Sequence, residues 1–397
     1  MNSELEIRVK RSISTTELER RWKAVRLAMA ERNLDFLIAQ NCTDYFAGYV
    51  KWFTDVPAVN NYMSTVIFPR NDEMITIWHG PRQPAEPNPP GWTLRGVKKR
   101  ISTPSLPSLC YSNNFDAEKV VEELSPYKNC RIGLLGMGFI SAAFYKYLIE
   151  HLDPAKIEDA TDMIDRIKAI KSDEEIELIR ETCTMQDIVF QYALNRVQPG
   201  KRDIDIYNDI KFKCTELGSE QAIIMVGSDP PGKPSLHFPV HFENRVIQEG
   251  DQLAVLIEAN GPSGFYGEIH RNICLGKVPA EMEDLFELTM EAEREALKLL
   301  KPGIHPKVLW DAYNEFRRKK GYPEERRFHG HCQGYDLVER PCIDPYETME
   351  LQARMALVIH TGFISKTASG MICHDHLINA NGEIECLHKT PQEIFVI

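Results

Sequence analysis

The stretch 328–341, Phe-His-Gly-His-Cys-Gln-Gly-Tyr-Asp-Leu-Val-Glu-Arg-Pro, sets two imidazoles on either side of one glycine, at His329 and His331. A glycine beside a histidine lets the backbone come close to whatever the ring touches. Imidazole changes charge near neutral pH, which suits it to proton transfer. Gly334, Glu339, Arg340 and Pro341 follow within a few residues. Cys332 beside His331 raises a Cys–His nucleophile. Adjacent residues seldom point at each other, however, and a free cysteine is often only a small buried residue. In the same half of the chain, polar groups stand in otherwise apolar runs: Glu258, Glu268, His360 and the triplet His374-Asp375-His376. A single buried acid or histidine is usually a satisfied structural group. So many in one region point to a site.

The elements that must carry these groups read as strands. The run 252–258 is aliphatic, as in a buried strand, yet ends in Glu258. After Gly264 and Gly267 the next strand sets Glu268 and His270 on one face and Ile269 on the other. The run 355–360 is again aliphatic and ends in His360, and 371–378 alternates through His374 and His376. Ser172 and Glu175 have the spacing of a capping box, opening a helix that runs from Asp173 to about Arg196 and stops at Pro199-Gly200. A second helix, about 281–300, closes at Pro302-Gly303. Each Pro-Gly precedes another helix, 204–217 and 307–320, and then strands. Two helix-helix-strand halves therefore repeat at a spacing of about one hundred residues, which predicts a pseudo-twofold fold with its site between the halves.

The first part of the chain reads differently. An amphipathic helix over 15–32 carries Leu18, Trp22, Val25, Leu27 and Met29 on one broad apolar face, and strands follow at 36–39, 63–68, 74–78 and 131–135. Between the first two strands lies an aromatic-rich loop with Tyr45, Tyr49, Trp52 and Phe53. The proline-rich segment 81–107 reads as a surface excursion. Gly133, Gly136 and Gly138 lack the order of a phosphate-binding loop and read as a turn between a strand and the helix 142–152.

At 397 residues the chain suits two domains, divided as 1–165 and 166–397. It is 43% hydrophobic and 26% charged, with a net charge of -11. That balance disfavours nucleic acid and anionic membranes as partners. No apolar run approaches the ~20 residues of a membrane helix, and the start lacks the layout of a signal peptide. The 10 cysteines include no C-x-x-C pair and are expected to be reduced thiols in a cytoplasmic protein.

Four features together resemble the creatinase, prolidase and methionine aminopeptidase superfamily. They are the phrase Ile167-Lys168-Ala169-Ile170-Lys171-Ser172, the Pro-Gly after the long helix, Gly250-Asp251 before an acid-bearing strand, and Gly330-His331-x-x-Gly334. The resemblance runs from about residue 166 to the C-terminus and implies an α/β (α+β) pita-bread catalytic domain, while the first region is similar to the family's smaller creatinase-like domain. Metallopeptidases of the superfamily hold two metal ions with two aspartates, one histidine and two glutamates. Against that pattern the first aspartate falls at Leu256-Ile257, with Glu258 nearest, and the second becomes Glu268. The histidine remains as His331, His360 replaces a glutamate, and the last glutamate is at best Asp375. An imidazole cannot bridge two metals as a carboxylate does.

The expected function is therefore hydrolysis of a C–N bond, amide or amidine, in a small cationic or zwitterionic metabolite, without metal, as in creatinase and ectoine hydrolase. His237, with His241 as its competitor, has the spacing from Glu268 of creatinase's catalytic histidine. It is expected to act as general base and then acid. His331 and His360 polarise the carbonyl, Glu258, Glu268 and Glu339 hold a cation, and Arg340 pairs with a carboxylate. Asp375, His376 and Trp52 complete the expected substrate contacts. A homodimer is expected, its aromatic loop closing the partner's site, as creatinase-like relatives place N-terminal residues there. The other reading puts one divalent ion on Glu268, His331, His360 and Asp375, in a metal-dependent Xaa-Pro-type peptidase or a lyase similar to dimethylsulfoniopropionate lyase. A binding module without catalysis is the third.

Overall fold

The computed structural model describes residues 10–41, 44–46, 48–57, 62–81, 89–237 and 244–397. The chain divides into two compact units, one of Ser12–Lys168 and one that holds Ala169–Ile397. The division falls after α5 has nearly ended, three residues beyond the expected 165, because that helix (Thr161–Ala169) continues through the boundary phrase. No helix among the described residues is long and apolar enough to cross a membrane.

The first unit holds one sheet with the order β4-β3-β2-β1-β5-β6. Its strands are β1 (Phe36–Asn41), β2 (Ser64–Pro69), β3 (Met74–His79), β4 (Val97–Thr103), β5 (Ile132–Leu135) and β6 (Ile157–Asp159). Helices α3 (Phe115–Leu124) and α4 (Ala142–His151) contribute Val120, Leu124, Phe144 and Leu148 to a core against Ile38, Ile67 and Leu134. Helix α1 (Thr15–Glu31) buries Leu18, Trp22, Val25 and Met29, as their spacing predicts, whereas Leu27, off their i, i+3, i+4 stripe, is exposed. Two expectations fail here. The proline-rich excursion contains β4, an edge strand parallel to β3 whose mostly exposed side chains leave no apolar alternation to read. The aromatic loop folds in part into a short helix, α2 (Gly48–Thr54), buried at every residue.

In the second unit, α6 (Asp173–Leu194) opens on the predicted capping box: Glu175 N–H donates to Ser172 Oγ at 3.1 Å, and Ser172 N–H to Glu175 Oε2 at 2.8 Å. Helix α7 (Asp203–Glu216) follows, then β7 (Ala222–Asp229), β8 (Gln252–Asn260) and β9 (Tyr266–Cys274). The order then repeats with α8 (Ala280–Leu299), α9 (Pro306–Lys319), β10 (Gly330–Cys332), β11 (Glu339–Cys342), β12 (Ala356–Ile364) and β13 (Ser369–Ile378). The strands join in one sheet, β11-β10-β12-β13-β9-β8-β7, with β14 (Ile384–Cys386) beside β13 and β15 (Phe395–Val396) beside β9.

Each half buries its helices on one face of this sheet. Val189, Phe190, Ile206 and Ile210 pack with Val255, Ile257, Ile269 and Ile273 in the first half. Leu309 packs with Cys332, Ile343, Leu357 and Ile359 in the second. Successive strand residues point to opposite faces, so Glu258, Glu268, His331 and His360 all stand on the face turned away from these cores.

Candidate functional site

Register fixes which of these groups meet. Across β8 and β9, Glu258 is opposite Glu268 and Leu256 is opposite His270. Across β10 and β12, His331 is opposite Val358, and across β12 and β13, His360 is opposite Cys373. Cys373 is in turn opposite His270, where β13 meets β9. The two halves thus bring their polar residues to one patch. Above it lies a cavity of about 470 Å³ that Glu258, Glu268, His237, His331, His360 and Arg327 all line.

Both histidines converge on one carboxylate oxygen. His360 Nε2 is 3.1 Å from Glu268 Oε2, and His331 Nε2 is 3.5 Å from the same atom. His331 Nδ1 lies 3.0 Å from the Cys332 carbonyl oxygen, a contact only an N–H can make, so that nitrogen is the donor there. Glu268 Oε1 is 3.4 Å from Cys373 Sγ, and the Glu268 backbone N–H donates to Asp375 Oδ2 at 2.8 Å. Phe328 packs against both rings, near-perpendicular to His331 with centroids 5.5 Å apart and tilted against His360 at 5.8 Å.

The two facing carboxyls titrate in opposite directions. Burial alone would raise Glu268, but His360 and His331 hold it well below the usual carboxylate range. Burial, and then the Glu268 charge, push Glu258 well above that range, and its Oε1 has no hydrogen-bond partner among the described residues. The two carboxyls are thus driven apart, Glu268 toward its ionised form and Glu258 toward its protonated one. Burial also lowers His237 to about 4 and takes His270 well below its ordinary value, so both rings are neutral.

Among the residues expected at the site, the structure brings together His237, Glu258, Glu268, His331 and His360. His241 lies outside the described residues. Five others are elsewhere. Glu339 is buried, takes the Lys171 ammonium at 3.0 Å and accepts the Tyr335 N–H at 2.9 Å, so it anchors the loop after β10. Arg340 pairs with Glu347 at 2.6 Å. His376 lies on the helix-facing side of β13, opposite Leu357 of the core. Trp52 is 2% exposed within the first unit, and Tyr49 and Phe53 are buried with it, so they present no exposed aromatic loop. Asp375 is fully buried, its carboxylate taken by the Glu268 N–H, Gln333 Nε2 and His388 Nε2, which leaves it behind the site as a support.

His329 stacks on Tyr313 at 3.7 Å and is buried away from the cavity. Residues absent from the expected set include His270, two positions after Glu268 on the same face, and Arg327, immediately before the histidine-rich stretch. The period of a strand is the signal for the first. Nothing in the local pattern distinguishes Arg327 from its neighbour Arg326.

The donor set fits one divalent ion. One ligand atom each from Glu268, His331 and His360 lies within 4.8 Å of the others. Bonds of about 2.1 Å to nitrogen and oxygen place tetrahedral ligands roughly 3.4 Å apart, close to the 3.1 and 3.5 Å seen here. Two histidines and one carboxylate are a recurrent set for a single ion. For a second ion the described strand floor adds a single further carboxylate, Glu258, since Asp375 is committed to its own partners.

Comparison with known proteins places the arrangement. The Xaa-Pro dipeptidase of Pyrococcus horikoshii is 23% identical over 344 residues, covering 84% of this chain and 95% of that protein. The solved Xaa-Pro dipeptidase from Bacillus anthracis superposes with a TM-score of 0.76 at 18% identity, over 96% of this chain and 100% of the other. A prolidase from Thermococcus sibiricus gives 0.78 at 17% identity, over 98% and 100%. The pita-bread fold with its smaller N-terminal domain is the fold shared with these structures. The profile of metallopeptidase family M24 matches residues 177–380, just over half of the chain. The expectation of a metal-free, creatinase-like site is thereby overturned, because the chain belongs to metallopeptidase family M24, a family of hydrolases acting on C–N bonds.

Proposed function

We propose that this protein is a metal-dependent peptidase acting on short peptides at an Xaa-Pro bond, with one divalent ion held by Glu268, His331 and His360. The observation that supports the reading is the meeting of those three side chains on the floor of the cavity, in a chain whose relatives carry the name Xaa-Pro dipeptidase. An ion so placed supplies Lewis-acid charge beside the scissile carbonyl and makes water more acidic.

The chain's own groups supply the rest. Glu258 is a neutral acid whose Oε1 faces the cavity without a partner among the described residues, so it holds a proton for the leaving nitrogen. His237 and His270, with ring centroids 4.7 Å apart, are neutral and serve as hydrogen-bond partners for the peptide. Arg317 is committed to the carbonyls of Pro323 and Gly362. Arg327 lies over the Phe328 ring at 4.6 Å and lines the cavity, and it takes the carboxylate of a short substrate. A volume of about 470 Å³ suits a dipeptide better than a long chain.

The test is a panel of Xaa-Pro dipeptides, other dipeptides and guanidino acids, offered to the purified protein with and without chelator. Turnover confined to Xaa-Pro substrates and abolished by chelator supports the reading. Hydrolysis of guanidino acids that survives chelation refutes it.

A further inference from the structure

Behind β13, on the face opposite the cavity, is a second convergence of metal-binding groups. His374 and His376 are opposite Ile359 and Leu357 of β12, both members of the helix-side core, so the two rings point toward the helices. There Glu293 of α8 approaches, its Oε1 3.2 Å from His374 Nε2. The pairing of β14 with β13 sets Cys386 directly opposite His376. One nitrogen of each ring and Cys386 Sγ lie within 4.8 Å of one another. Gln392 Nε2 lies 3.1 Å from His374 Nε2 and 3.8 Å from Cys386 Sγ.

Hydrogen bonding accounts for only part of this cluster, since Gln392 reaches His374 and Cys386 but leaves His376. His374 and His376 are 0% and 1% exposed. Neither ring nitrogen of His376 has a hydrogen-bond partner among the described residues, and Glu293 Oε1 has none despite its closeness to His374. Buried polar atoms are nearly always satisfied. Two imidazoles and a thiol are donors of a tetrahedral zinc-type site, and a cation there satisfies one nitrogen of His376 that no hydrogen bond reaches. The charges also balance. Thiolate and carboxylate offset a divalent ion, and the neighbouring Arg271 guanidinium is already held by carbonyl oxygens of His270, Cys373, Thr390 and Pro391.

We propose that His374, His376 and Cys386, with the Glu293 carboxylate beside His374, form a second, structural metal site for a zinc-type divalent ion, separate from the cavity. It ties β14 to β13 and α8. Cys386 is exposed, which gives the ion a way in, and binding releases the thiol proton to solvent as the sulfur–metal bond forms.

Cobalt(II) is the probe, because a thiolate–cobalt bond adds a near-ultraviolet charge-transfer band that nitrogen and oxygen ligands do not. Metal-stripped full-length protein should show that band on adding cobalt. Cys386→Ser should abolish it and lower bound cobalt by one equivalent per chain, and His376→Ala should do the same. His360→Ala, which alters only the cavity, should leave the band intact, so failure of the cavity reading is seen separately. A band that persists in Cys386→Ser, as ligation by Cys373 would give, overturns the proposal. So does cobalt uptake by the unaltered protein with no thiolate band. Should His376→Ala fail to fold, the exposed Cys386→Ser change decides alone.

Discussion

Glu258 and Glu268 face each other across β8 and β9, one driven toward its protonated form and one toward its ionised form, although the same sheet buries both. The difference lies in their neighbours. Glu268 has His331 and His360 beside it, whereas the nearest charge to Glu258 is Glu268 itself.

Glu258→Gln keeps the shape of the neutral acid and removes its proton. The folded protein should be about as stable as the parent, because a neutral amide replaces a neutral acid of the same shape. Turnover should fall on the order of a hundredfold, with a smaller change in KM, as for loss of a general acid. Steady-state kinetics and thermal melting on one preparation separate the two effects. Unchanged kcat would remove Glu258 from proton transfer.

His329 and His331 are two residues apart and should behave oppositely. His331→Ala should lower kcat/KM on the order of a hundredfold or more with little loss of stability. His329→Ala opens a hole beside Tyr313 and should cost about 2–4 kcal/mol of stability while the folded fraction keeps its kcat. Denaturant titrations paired with kinetics test both. Equal losses of kcat would mean that His329 also serves the cavity.

Asp375 should act through position alone. Its Oδ2 accepts the Glu268 N–H and faces His388 Nε2 at 3.2 Å. Asp375→Ala leaves buried donors unpaired and should cost on the order of 3 kcal/mol. Asp375→Asn should recover part of that stability. Fully restored kinetics in a well-folded Asp375→Ala would show that this carboxylate does not hold Glu268 in place.

The pair Asp187 and His388 sets a pH dependence of stability. Burial alone would raise Asp187, but His388 and then Thr390 hold it at about 2, against an ordinary 3.8. A lowered carboxyl contributes stability that is present above its unfolded value and lost as pH falls toward the folded one. Burial would lower His388, but Asp187 and Asp375 raise it, so its contribution is complete below 6.5 and is lost as pH climbs through the raised value. Melting curves of Asp187→Asn and the parent should differ most at about pH 5 and converge near pH 2. A constant difference across that range would contradict the pairing.

Much of this site was legible in the strands. The aliphatic runs ending in Glu258 and His360, and the alternation around Glu268, follow from period-two burial and required no partner to be known. The misplaced residues share a different cause, since their roles depend on chain that is distant in sequence. Glu339 meets Lys171, Asp375 meets the backbone of Glu268, and Trp52 is covered by Arg21 of α1. Local pattern gives a residue's face, but not which remote group waits there. The carboxyl at Glu339, in a glycine-bearing stretch beside two histidines, looked catalytic for that reason alone.

The most direct measurement is metal content and activity together, on metal-stripped protein titrated with manganese(II) or zinc(II). Xaa-Pro dipeptide hydrolysis should rise from background to a plateau as the cavity ion binds. Glu268→Gln, His331→Ala and His360→Ala should each lose that equivalent and the activity with it. Stripped protein that hydrolyses the dipeptide at the full rate, or a Glu268→Gln variant that binds metal and turns over as the parent does, would contradict the account.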